Sequence, residues 1–352
     1  MLTVNLTNHH YDIQIERHLL NKCGEWVASI WQPQRVAIIT DSNVAKLYAE
    51  QVTTSLKSAG FQVNTFVVPA GEASKSLEQA TYLYDQLAEH GFTRSDGLIA
   101  LGGGVIGDLA GFVASTYMRG LHFLQIPTTL LAQVDSSIGG KTAVNTKNAK
   151  NLVGTFSQPD GVLIDPEVLY TLDDRRLREG IAEIIKSAAI ADPQLWTLLG
   201  TLKDEFELRD RAEEVILPSL KVKRKVVEED EFDNGSRLTL NFGHTIGHAI
   251  ENTAGYGVVS HGEGVAVGMV MISRHAEQLG QTPAGTTEQL MTMLEKFHLP
   301  TTQKELNKEA IYQAITHDKK ARGTQLKIIL LTAIGQAKIV SIPIETIKDY
   351  IQ

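Results

Sequence analysis

The chain has 352 residues, more than one hydrophobic core usually supports, and this length predicts two domains. Its 43% apolar and 21% charged residues are typical of a globular protein and argue against disorder. The net charge of −8 offers no electrostatic basis for binding nucleic acid or an anionic membrane, and a single cysteine, Cys23, excludes an intrachain disulfide. No segment resembles a signal peptide or a membrane span, so we expect a cytoplasmic protein.

The first half of the chain alternates strand and helix patterns. Alternating or short apolar runs predict strands at Leu2 to Leu6, Tyr11 to Glu16, Arg35 to Thr40, Phe61 to Val68, Gly97 to Leu101, His122 to Ile126 and Gly161 to Ile164. Helical periodicity predicts helices at Asn43 to Ala59 and at Ser76 to His90, each followed by a glycine. This alternation predicts a Rossmann-like α/β domain with a parallel sheet over residues 1–170.

The second half, residues 171–352, is predicted to be mainly α-helical. Amphipathic stretches run from Arg175 to Ile190, Leu208 to Glu229, Asn241 to Asn252, Gly262 to Leu279 and Thr286 to Phe297. A small hairpin is predicted at Leu326 to Leu331 and Lys338 to Ile342, followed by one or two helical turns at Glu345 to Tyr350. We expect the active site in the cleft between the two halves, because ligand sites are common at such places.

A glycine-rich turn follows the predicted strand Gly97 to Leu101. Gly102 to Asp108 fits the pattern G-x-G-x-x-G, in which glycines let the backbone approach a diphosphate at a helix start. The match is weak alone, because the turn follows a later strand than the first and lacks a suitable acidic residue about twenty positions on. Asp41 ends an earlier strand and is interpreted either as a ribose contact or as a helix cap.

Three histidines and a glutamate suggest a metal site. His244 and His248 are four residues apart on one predicted helix, and His261 follows soon after. Glu183 and Lys186 share an otherwise apolar helical face, where burial without partners is unfavourable. The alternative is a salt bridge between Glu183 and Lys186, with the histidines as ordinary core residues.

A third candidate is the glycine-rich segment Asp135 to Thr142. Gly140-Lys141-Thr142 suggests a P-loop, but Asp135 stands where that pattern requires a glycine. What remains is a set of cations suited to a substrate with a phosphate and a carboxylate: Lys141, Lys150, Lys186, Lys223, Arg237 and Lys319. Dispersed lysines are usually solvated surface, and sequence spacing alone does not bring these together.

Several of these segments, in this order, resemble the 3-dehydroquinate synthase family. The resemblance is carried by Gly102 to Gly120, Ile126 to Ser137, Glu183 to Lys186, Asn241 to His248 and His261 to Glu263, and it covers nearly the whole chain. One departure lies between Asn145 and Lys150, where relatives often carry His-Pro and a glycine. Lys150 and Asn151 keep their places.

The resemblance implies a site for each ligand. It assigns one divalent metal, Zn²⁺ or Co²⁺, to Glu183, His244 and His261, which makes His248 a substrate contact. It assigns NAD to Asp41, Glu72, Lys75, Gly104, Val105, Ile106, Gly107, Asp108, Thr128, Thr129, Lys141, Lys150 and Thr171. It assigns the substrate to Asp135, Lys141, Lys150, Asn151, Lys186, Lys223, Arg237, Asn241, His248 and Lys319. Arg119 is expected to reach the site of the neighbouring subunit in a homodimer.

The implied activity is that of a lyase of the shikimate pathway. The family's small-molecule substrate is 3-deoxy-arabino-heptulosonate 7-phosphate, which becomes 3-dehydroquinate and phosphate. The implied steps are transient oxidation by NAD, phosphate elimination, reduction, ring opening and aldol closure. One alternative is a related cyclase acting on sedoheptulose 7-phosphate or glucose 6-phosphate. Others are a metal-dependent alcohol or glycerol dehydrogenase, which would release NADH, and a non-catalytic nucleotide-binding protein, which would need no metal.

Overall fold

The computed structural model describes residues 1–147, 149–233, 235–255, 257–303, 306–319 and 324–351, and the side chains of 317–319 lie outside this description. The chain divides into two compact units, Met1–Leu172 and Asp173–Gln352. This division lies close to the predicted boundary at residue 170, and the function assigned to each unit stays a prediction.

The first unit is built on a seven-stranded sheet. Its strands are β1 (Leu2–Asn5), β2 (His10–Ile15), β3 (Arg35–Asp41), β4 (Gln62–Val68), β5 (Gly97–Gly102), β6 (His122–Pro127) and β9 (Gly161–Ile164), while β7 (Lys141–Val144) and β8 (Val153–Phe156) form a separate hairpin. The order is β1-β2-β9-β6-β5-β3-β4, with only β1 antiparallel to its neighbour. The predicted parallel sheet and its initial hairpin are confirmed.

Helices cover both faces of this sheet. They are α1 (Cys23–Ile30), α2 (Glu50–Ser58), α3 (Leu77–Glu89) and α4 (Gly104–Thr116). Side chains of α3 and α4, such as Leu83 and Leu109, pack in one apolar cluster, and those of α1 and α2, such as Val27 and Leu56, pack in another. Every residue of β5 is buried, as expected for a central strand covered on both faces.

The strand order reverses direction at the middle of the sheet. From β3 the chain moves to β4 on one side, whereas β5 and then β6 lie on the other side. In open parallel sheets, ligands bind beyond the carboxyl ends of the strands at such a switch point. Here that point lies between Asp41, which ends β3, and the glycines that follow β5.

The second unit is mainly helical, as predicted. Its helices are α5 (Asp174–Ala191), α6 (Pro193–Thr201), α7 (Glu205–Asp210), α8 (Ala212–Glu229), α9 (His244–Ala254), α10 (His261–Gln278), α11 (Thr286–Lys296), α12 (Lys308–Lys319) and α13 (Ile347–Tyr350), and its hairpin is β10 (Gln325–Ala333) with β11 (Gln336–Pro343). Among the described residues, no helix is both long and apolar enough to cross a bilayer.

Some elements differ from the sequence-based prediction. The long helix predicted from Leu208 is two helices, because the chain breaks at Arg211 between α7 and α8. The helix predicted over Asn43 to Ala59 is a π-helical turn, Ala45–Ala49, continued by α2. The hairpin of β7 and β8 was not predicted, because its four-residue strands lie inside a segment dominated by glycine, lysine and asparagine.

Candidate metal centre and nucleotide-binding region

Three helices of the second unit bring one carboxylate and two imidazoles together. Glu183 lies in α5, His244 is the first residue of α9, and His261 is the first residue of α10. Oε1 of Glu183 lies 3.0 Å from Nε2 of His261 and 3.4 Å from Nε2 of His244. Ligand atoms about 2.0–2.1 Å from a tetrahedral zinc are separated by about 3.3–3.4 Å. Both oxygen–nitrogen distances are therefore close to the separation of two ligand atoms on one zinc ion.

Glycines allow these helices to approach so closely. A Cβ on Gly262 would lie 2.5 Å from Cα of Glu179 in α5, and one on Gly247 would lie 2.7 Å from the backbone of Gly264. A Cβ on Gly268 would lie 2.1 Å from the carbonyl oxygen of Gly243. The backbones of α5, α9 and α10 are thus in direct contact, which places the starts of α9 and α10 beside Glu183.

Hydrogen bonds at the helix starts hold the two histidines. Nδ1 of His244 lies 3.1 Å from the carbonyl oxygen of Phe242, which only accepts, so Nδ1 carries the proton. In the neutral ring, Nε2 then directs a lone pair toward Glu183, an arrangement that a cation between them would stabilise. The start of α10 is fixed by a capping box of Ser260 and Glu263, and Arg175 donates to both carboxylate oxygens of Glu263 at 2.8 Å.

Buried charges surround the carboxylate. Glu183 is 1% and Lys186 is 2% exposed, and the Lys186 ammonium forms an ion pair with Oε2 of Glu183. Burial raises the pKa of Glu183, but Lys186, His244 and His261 outweigh it and hold that pKa well below its usual range. Burial lowers the pKa of His244. Burial also acts to lower the pKa of His261, but the neighbouring carboxylates of Glu183 and Glu251 outweigh it and raise that pKa to about 10.

His248 lies beside His244 and His261, but the contacts described for Oε1 of Glu183 are with those two histidines. The ligand nitrogens of His244, His248 and His261 lie within 4.8 Å of one another, so three imidazoles form a second possible ligand set. We favour the set with Glu183, because its Oε1 contacts both other nitrogens at ligand spacing. His248 is exposed, as suits a residue that meets a substrate.

Sequence reasoning missed Glu251. Its Oε2 lies 3.9 Å from Nδ1 of His261, on the side of the ring opposite Glu183. Carboxylates at such positions orient metal-binding histidines. The available signal was the spacing within α9, since Glu251 lies three residues after His248.

The predicted substrate residues of the second unit lie on several elements. Lys186 is in α5, Lys223 in α8, and Arg237 and Asn241 in the 3₁₀ turn Ser236–Asn241 that precedes α9. Lys223 is 7% and Arg237 3% exposed, and Arg237 donates from Nη1 to the carbonyl oxygen of Glu231 at 2.7 Å. Lys319 ends α12, and its side chain lies outside the described residues.

The candidate nucleotide-binding residues of the first unit follow the carboxyl ends of its parallel strands. Asp41 ends β3, Glu72 and Lys75 follow β4, and Thr171 ends the 3₁₀ turn after β9. Gly104, Val105, Ile106, Gly107 and Asp108 form the first residues of α4, directly after β5, and Thr128 and Thr129 follow β6. The structure therefore places all of these residues at one edge of the sheet.

The hydrogen bonds of Asp41 and Thr128 differ. Oδ1 of Asp41 accepts from the backbone N–H of Asn43 at 2.8 Å and of Val44 at 3.1 Å, so Asp41 does cap the following turn. Among the described residues, Oγ1 of Thr128 is a buried oxygen with no hydrogen-bond partner. A buried hydroxyl without a partner is unfavourable, and a nucleotide bound at this edge of the sheet would be able to satisfy it.

A buried lysine links two of these turns. Nζ of Lys75 donates to Oδ2 of Asp108 at 3.0 Å and lies 3.4 Å from Oε1 of Glu72. Burial acts to lower the pKa of Lys75, but Asp108 and Glu72 outweigh it and raise that pKa above its ordinary value. The start of α4 is packed tightly, because a Cβ on Gly107 would lie 2.8 Å from the Gln125 amide oxygen.

The remaining predicted residues of the first unit lie around the β7–β8 hairpin and after α4. Asp135 is in a π-helical turn, Ala132–Ser136, and Lys141 begins β7. Lys150 and Asn151 lie between β7 and β8, and Asn151 has a left-handed backbone with φ 54°. Arg119 is exposed in the turn after α4, also with positive φ, 72°.

Comparison with known proteins gives one consistent result. The family model for the 3-dehydroquinate synthase N-terminal region matches residues 65–179, and that for its C-terminal region matches residues 180–321. A 3-dehydroquinate synthase of Enterococcus faecalis strain OG1RF is 67% identical over 350 residues, which span 99% of this chain and 98% of the relative.

Two solved structures are similar over nearly their full lengths. A 2-deoxy-scyllo-inosose synthase in complex with carbaglucose-6-phosphate, NAD⁺ and Co²⁺ has a TM-score of 0.90 and 26% identity, covering 99% of this chain and 98% of that one. A 2-epi-5-epi-valiolone synthase of Streptomyces hygroscopicus with NAD⁺ and Zn²⁺ bound has a TM-score of 0.88 and 28% identity, covering 98% and 97%.

Proposed function

The chain belongs to the 3-dehydroquinate synthase family and has that family's activity, and we propose that Glu183, His244 and His261 hold its metal. It converts 3-deoxy-arabino-heptulosonate 7-phosphate into 3-dehydroquinate and phosphate, a lyase reaction of the shikimate pathway. The comparisons favour this activity over the alternatives raised from the sequence, which are a cyclase of sedoheptulose 7-phosphate or glucose 6-phosphate, a metal-dependent dehydrogenase and a non-catalytic nucleotide-binding protein. Its cofactors are NAD and one divalent metal, as in the two similar solved enzymes.

One observation supports the proposed ligand set above all. A carboxylate oxygen that is 1% exposed faces two imidazole nitrogens at 3.0 and 3.4 Å. One oxygen and two nitrogens leave a tetrahedral ion at least one open position, and this donor set suits Zn²⁺ or Co²⁺. When bound, such a metal lowers the pKa of a coordinated hydroxyl group. Phe242 and Glu251 orient the two histidines for this role.

The proposed NAD site is the switch point of the first unit. The start of α4 offers backbone N–H groups to a diphosphate, and Thr128 offers a buried hydroxyl. Lys75 contacts both Asp108 and Glu72 and thereby joins the turns that follow β4 and β5. NAD, when bound, takes up a hydride and returns it, so the reaction needs only catalytic amounts of it.

Buried cations of the second unit suit a substrate with two anionic groups. Lys186, Lys223 and Arg237 are at most 7% exposed, and a charge in such a setting attracts an opposite charge more strongly than one in water does. We propose that they bind the carboxylate and phosphate of the substrate with Asn241, His248 and Lys319 of the same unit. The family resemblance implies further substrate contacts in the first unit, at Asp135, Lys141, Lys150 and Asn151. A planar guanidinium can bind a carboxylate through two parallel hydrogen bonds, which favours Arg237 for that group.

The direct test supplies the heptulosonate phosphate with metal and catalytic NAD. We expect one phosphate released per molecule of 3-dehydroquinate, identified by mass and chromatography, without accumulation of NADH. Net NADH production would contradict the proposal and indicate a dehydrogenase. Equal turnover of sedoheptulose 7-phosphate would indicate a different cyclase.

We further propose a cytoplasmic homodimer in which Arg119 completes the partner's site. Its support is the exposed position of Arg119 in the turn after α4, where its backbone is left-handed. Mixed dimers test this arrangement. Glu183→Gln and Arg119→Ala chains, each inactive alone, should regain activity when refolded together. No recovery in a confirmed mixed dimer would contradict it.

A further inference from the structure

A single side chain, Asn145, joins two loops of the first unit. Asn145 directly follows β7 and is half-buried. Its Nδ2 donates to Oε1 of Glu72 at 2.7 Å, and its Oδ1 accepts from the backbone N–H of Asn151 at 2.9 Å. One amide thus contacts both the turn after β4 and the loop between β7 and β8.

The Glu72 end of this link belongs to a chain of charged contacts. The same oxygen that accepts from Asn145 lies 3.4 Å from Nζ of Lys75, which in turn donates to Asp108 at the start of α4. Lys75 is only 6% exposed, so its position depends on these partners. Asn145 supplies a neutral donor to the same Glu72 oxygen that the Lys75 ammonium approaches.

The Asn151 end of the link has a left-handed backbone. Asn151 has φ 54°, a region that few non-glycine residues adopt and that asparagine tolerates better than most. The loop has its own turn, in which the Thr146 N–H donates to the carbonyl oxygen of Ala149 at 3.0 Å, but that bond does not reach Asn151. The bond to Asn145 is the contact that holds the Asn151 amide.

We propose that Asn145 is a positioning residue that couples the NAD-binding turn of Glu72 and Lys75 to the substrate-binding loop of Lys150 and Asn151. This inference rests on the proposed function, which assigns those roles to the two loops. Asparagine suits the position because it has one donor and one acceptor on the same short side chain. An aspartate would keep the acceptor for Asn151 but would oppose a carboxylate to Glu72.

The structure also indicates that the variants should fold. The backbone N–H of Asn145 donates to the carbonyl oxygen of Lys75 at 2.8 Å, and Asn145 forms a bridge with Ser76. These contacts do not involve the side chain. A substitution at Asn145 therefore removes the side-chain link and leaves the loops joined through the backbone.

Two variants separate the two ends of the link. Asn145→Ala removes both bonds, whereas Asn145→Asp keeps the acceptor for Asn151, removes the bond to Glu72 and places a second carboxylate beside it. Lys147→Ala is the matched control, because Lys147 is an exposed residue of the same loop without a role in the site. The measurements are NAD affinity by equilibrium titration without sugar, hydrogen exchange of the Asn151 amide, and the steady-state KM and kcat.

We expect both variants to weaken NAD binding about tenfold, since each loses one hydrogen bond to a charged group. Only Asn145→Ala should accelerate exchange at Asn151, and it should raise the KM for the sugar phosphate more than it lowers kcat. Lys147→Ala should match the wild type in all three measurements.

Unchanged NAD affinity in both variants, or equal exchange at Asn151 in Asn145→Ala and the wild type, would overturn the inference. Exchange and NAD titration require no sugar substrate, so they are independent of which sugar phosphate the enzyme closes. A failed assay with the heptulosonate phosphate, together with the expected exchange and NAD results, would contradict the proposed substrate and leave the link between the loops intact.

Discussion

The two units build their candidate sites in different ways. In Asp173–Gln352, the proposed metal ligands lie in helices whose backbones are in contact at glycines. In Met1–Leu172, the proposed NAD contacts lie in turns after parallel strands, and side-chain bonds such as Lys75 to Asp108 hold those turns. In the helical unit, the same contacts stabilise the fold and position the proposed ligands. In the first unit, the bonds that hold the turns contribute to ligand binding and little to the packing of the core. Substitutions in the two units should therefore differ in whether stability and binding change together.

The largest effect is expected at the metal ligand itself. Glu183→Gln should lower metal affinity by more than about a hundredfold, and activity should fall with it. Losing a residue that only orients a ligand costs up to about a hundredfold, and losing the ligand itself should cost more. Metal content by elemental analysis and phosphate release measure the two. Glu179→Gln is the control, since Glu179 is a buried carboxylate one turn earlier on α5 that pairs with Arg176. Full metal content in Glu183→Gln would refute the ligand assignment.

The next effect concerns helix packing. Gly268→Ala would place a Cβ 2.1 Å from the carbonyl oxygen of Gly243, next to His244. We expect a loss of about 2–3 kcal/mol in the free energy of unfolding, measured with urea, together with weaker metal binding. Gly200→Ala is the matched control, because a Cβ at Gly200 in α6 meets nothing within 4 Å. A stable Gly268→Ala protein with normal metal affinity would show that this helix contact does not position the ligands.

A buried carboxylate in the same unit should affect stability alone. Glu205 is fully buried and accepts from Arg178 at 2.7 Å and from His298 at 2.8 Å. Burial acts to raise the pKa of Glu205, but the bond from Arg178, a backbone N–H and His298 outweigh it and lower that pKa. Because the folded pKa lies below the unfolded value, the stabilisation is complete above about pH 4.3 and is lost as pH falls through the folded pKa.

Glu205→Gln should therefore lower the free energy of unfolding at pH 7 by about 1–3 kcal/mol. In this variant the free energy of unfolding should also fall less steeply as the pH is lowered. Thermal unfolding measured from pH 7 to pH 3 gives both quantities. Metal affinity at pH 7 should stay as in the wild type. A large loss of metal would mean that stability and binding cannot be separated anywhere in this unit.

The smallest effect tests the turns of the first unit. Thr128→Val replaces a buried hydroxyl that has no partner among the described residues with a methyl group. We expect about tenfold weaker NAD binding with unchanged or slightly increased stability. Thr142→Val should lower the free energy of unfolding and leave NAD affinity unchanged, because it removes the hydrogen bond between Thr142 Oγ1 and Thr155 Oγ1, which lie 2.7 Å apart. Equal NAD affinity for Thr128→Val and the wild type would remove Thr128 from the proposed site.

Local patterns predicted much of this architecture. The alternation of strands and helices predicted the parallel sheet, the glycine turn after Gly97 to Leu101 predicted the start of α4, and the burial of Glu183 and Lys186 among apolar residues was correctly inferred. These features repeat with the period of a strand or a helix, so a short window of sequence contains them. The break at Arg211 and the short hairpin of β7 and β8 have no such period and were missed.

Sequence patterns predict the two-part architecture and the types of residue available for a metal and a nucleotide, and they carry the family resemblance. Only packing in three dimensions brings Oε1 of Glu183 to both His244 and His261, places Glu251 behind His261 and lets Asn145 join two loops. Those contacts join residues as far as 78 positions apart. Their geometry depends on how closely whole helices and loops pack, and no local periodicity in the chain encodes that distance.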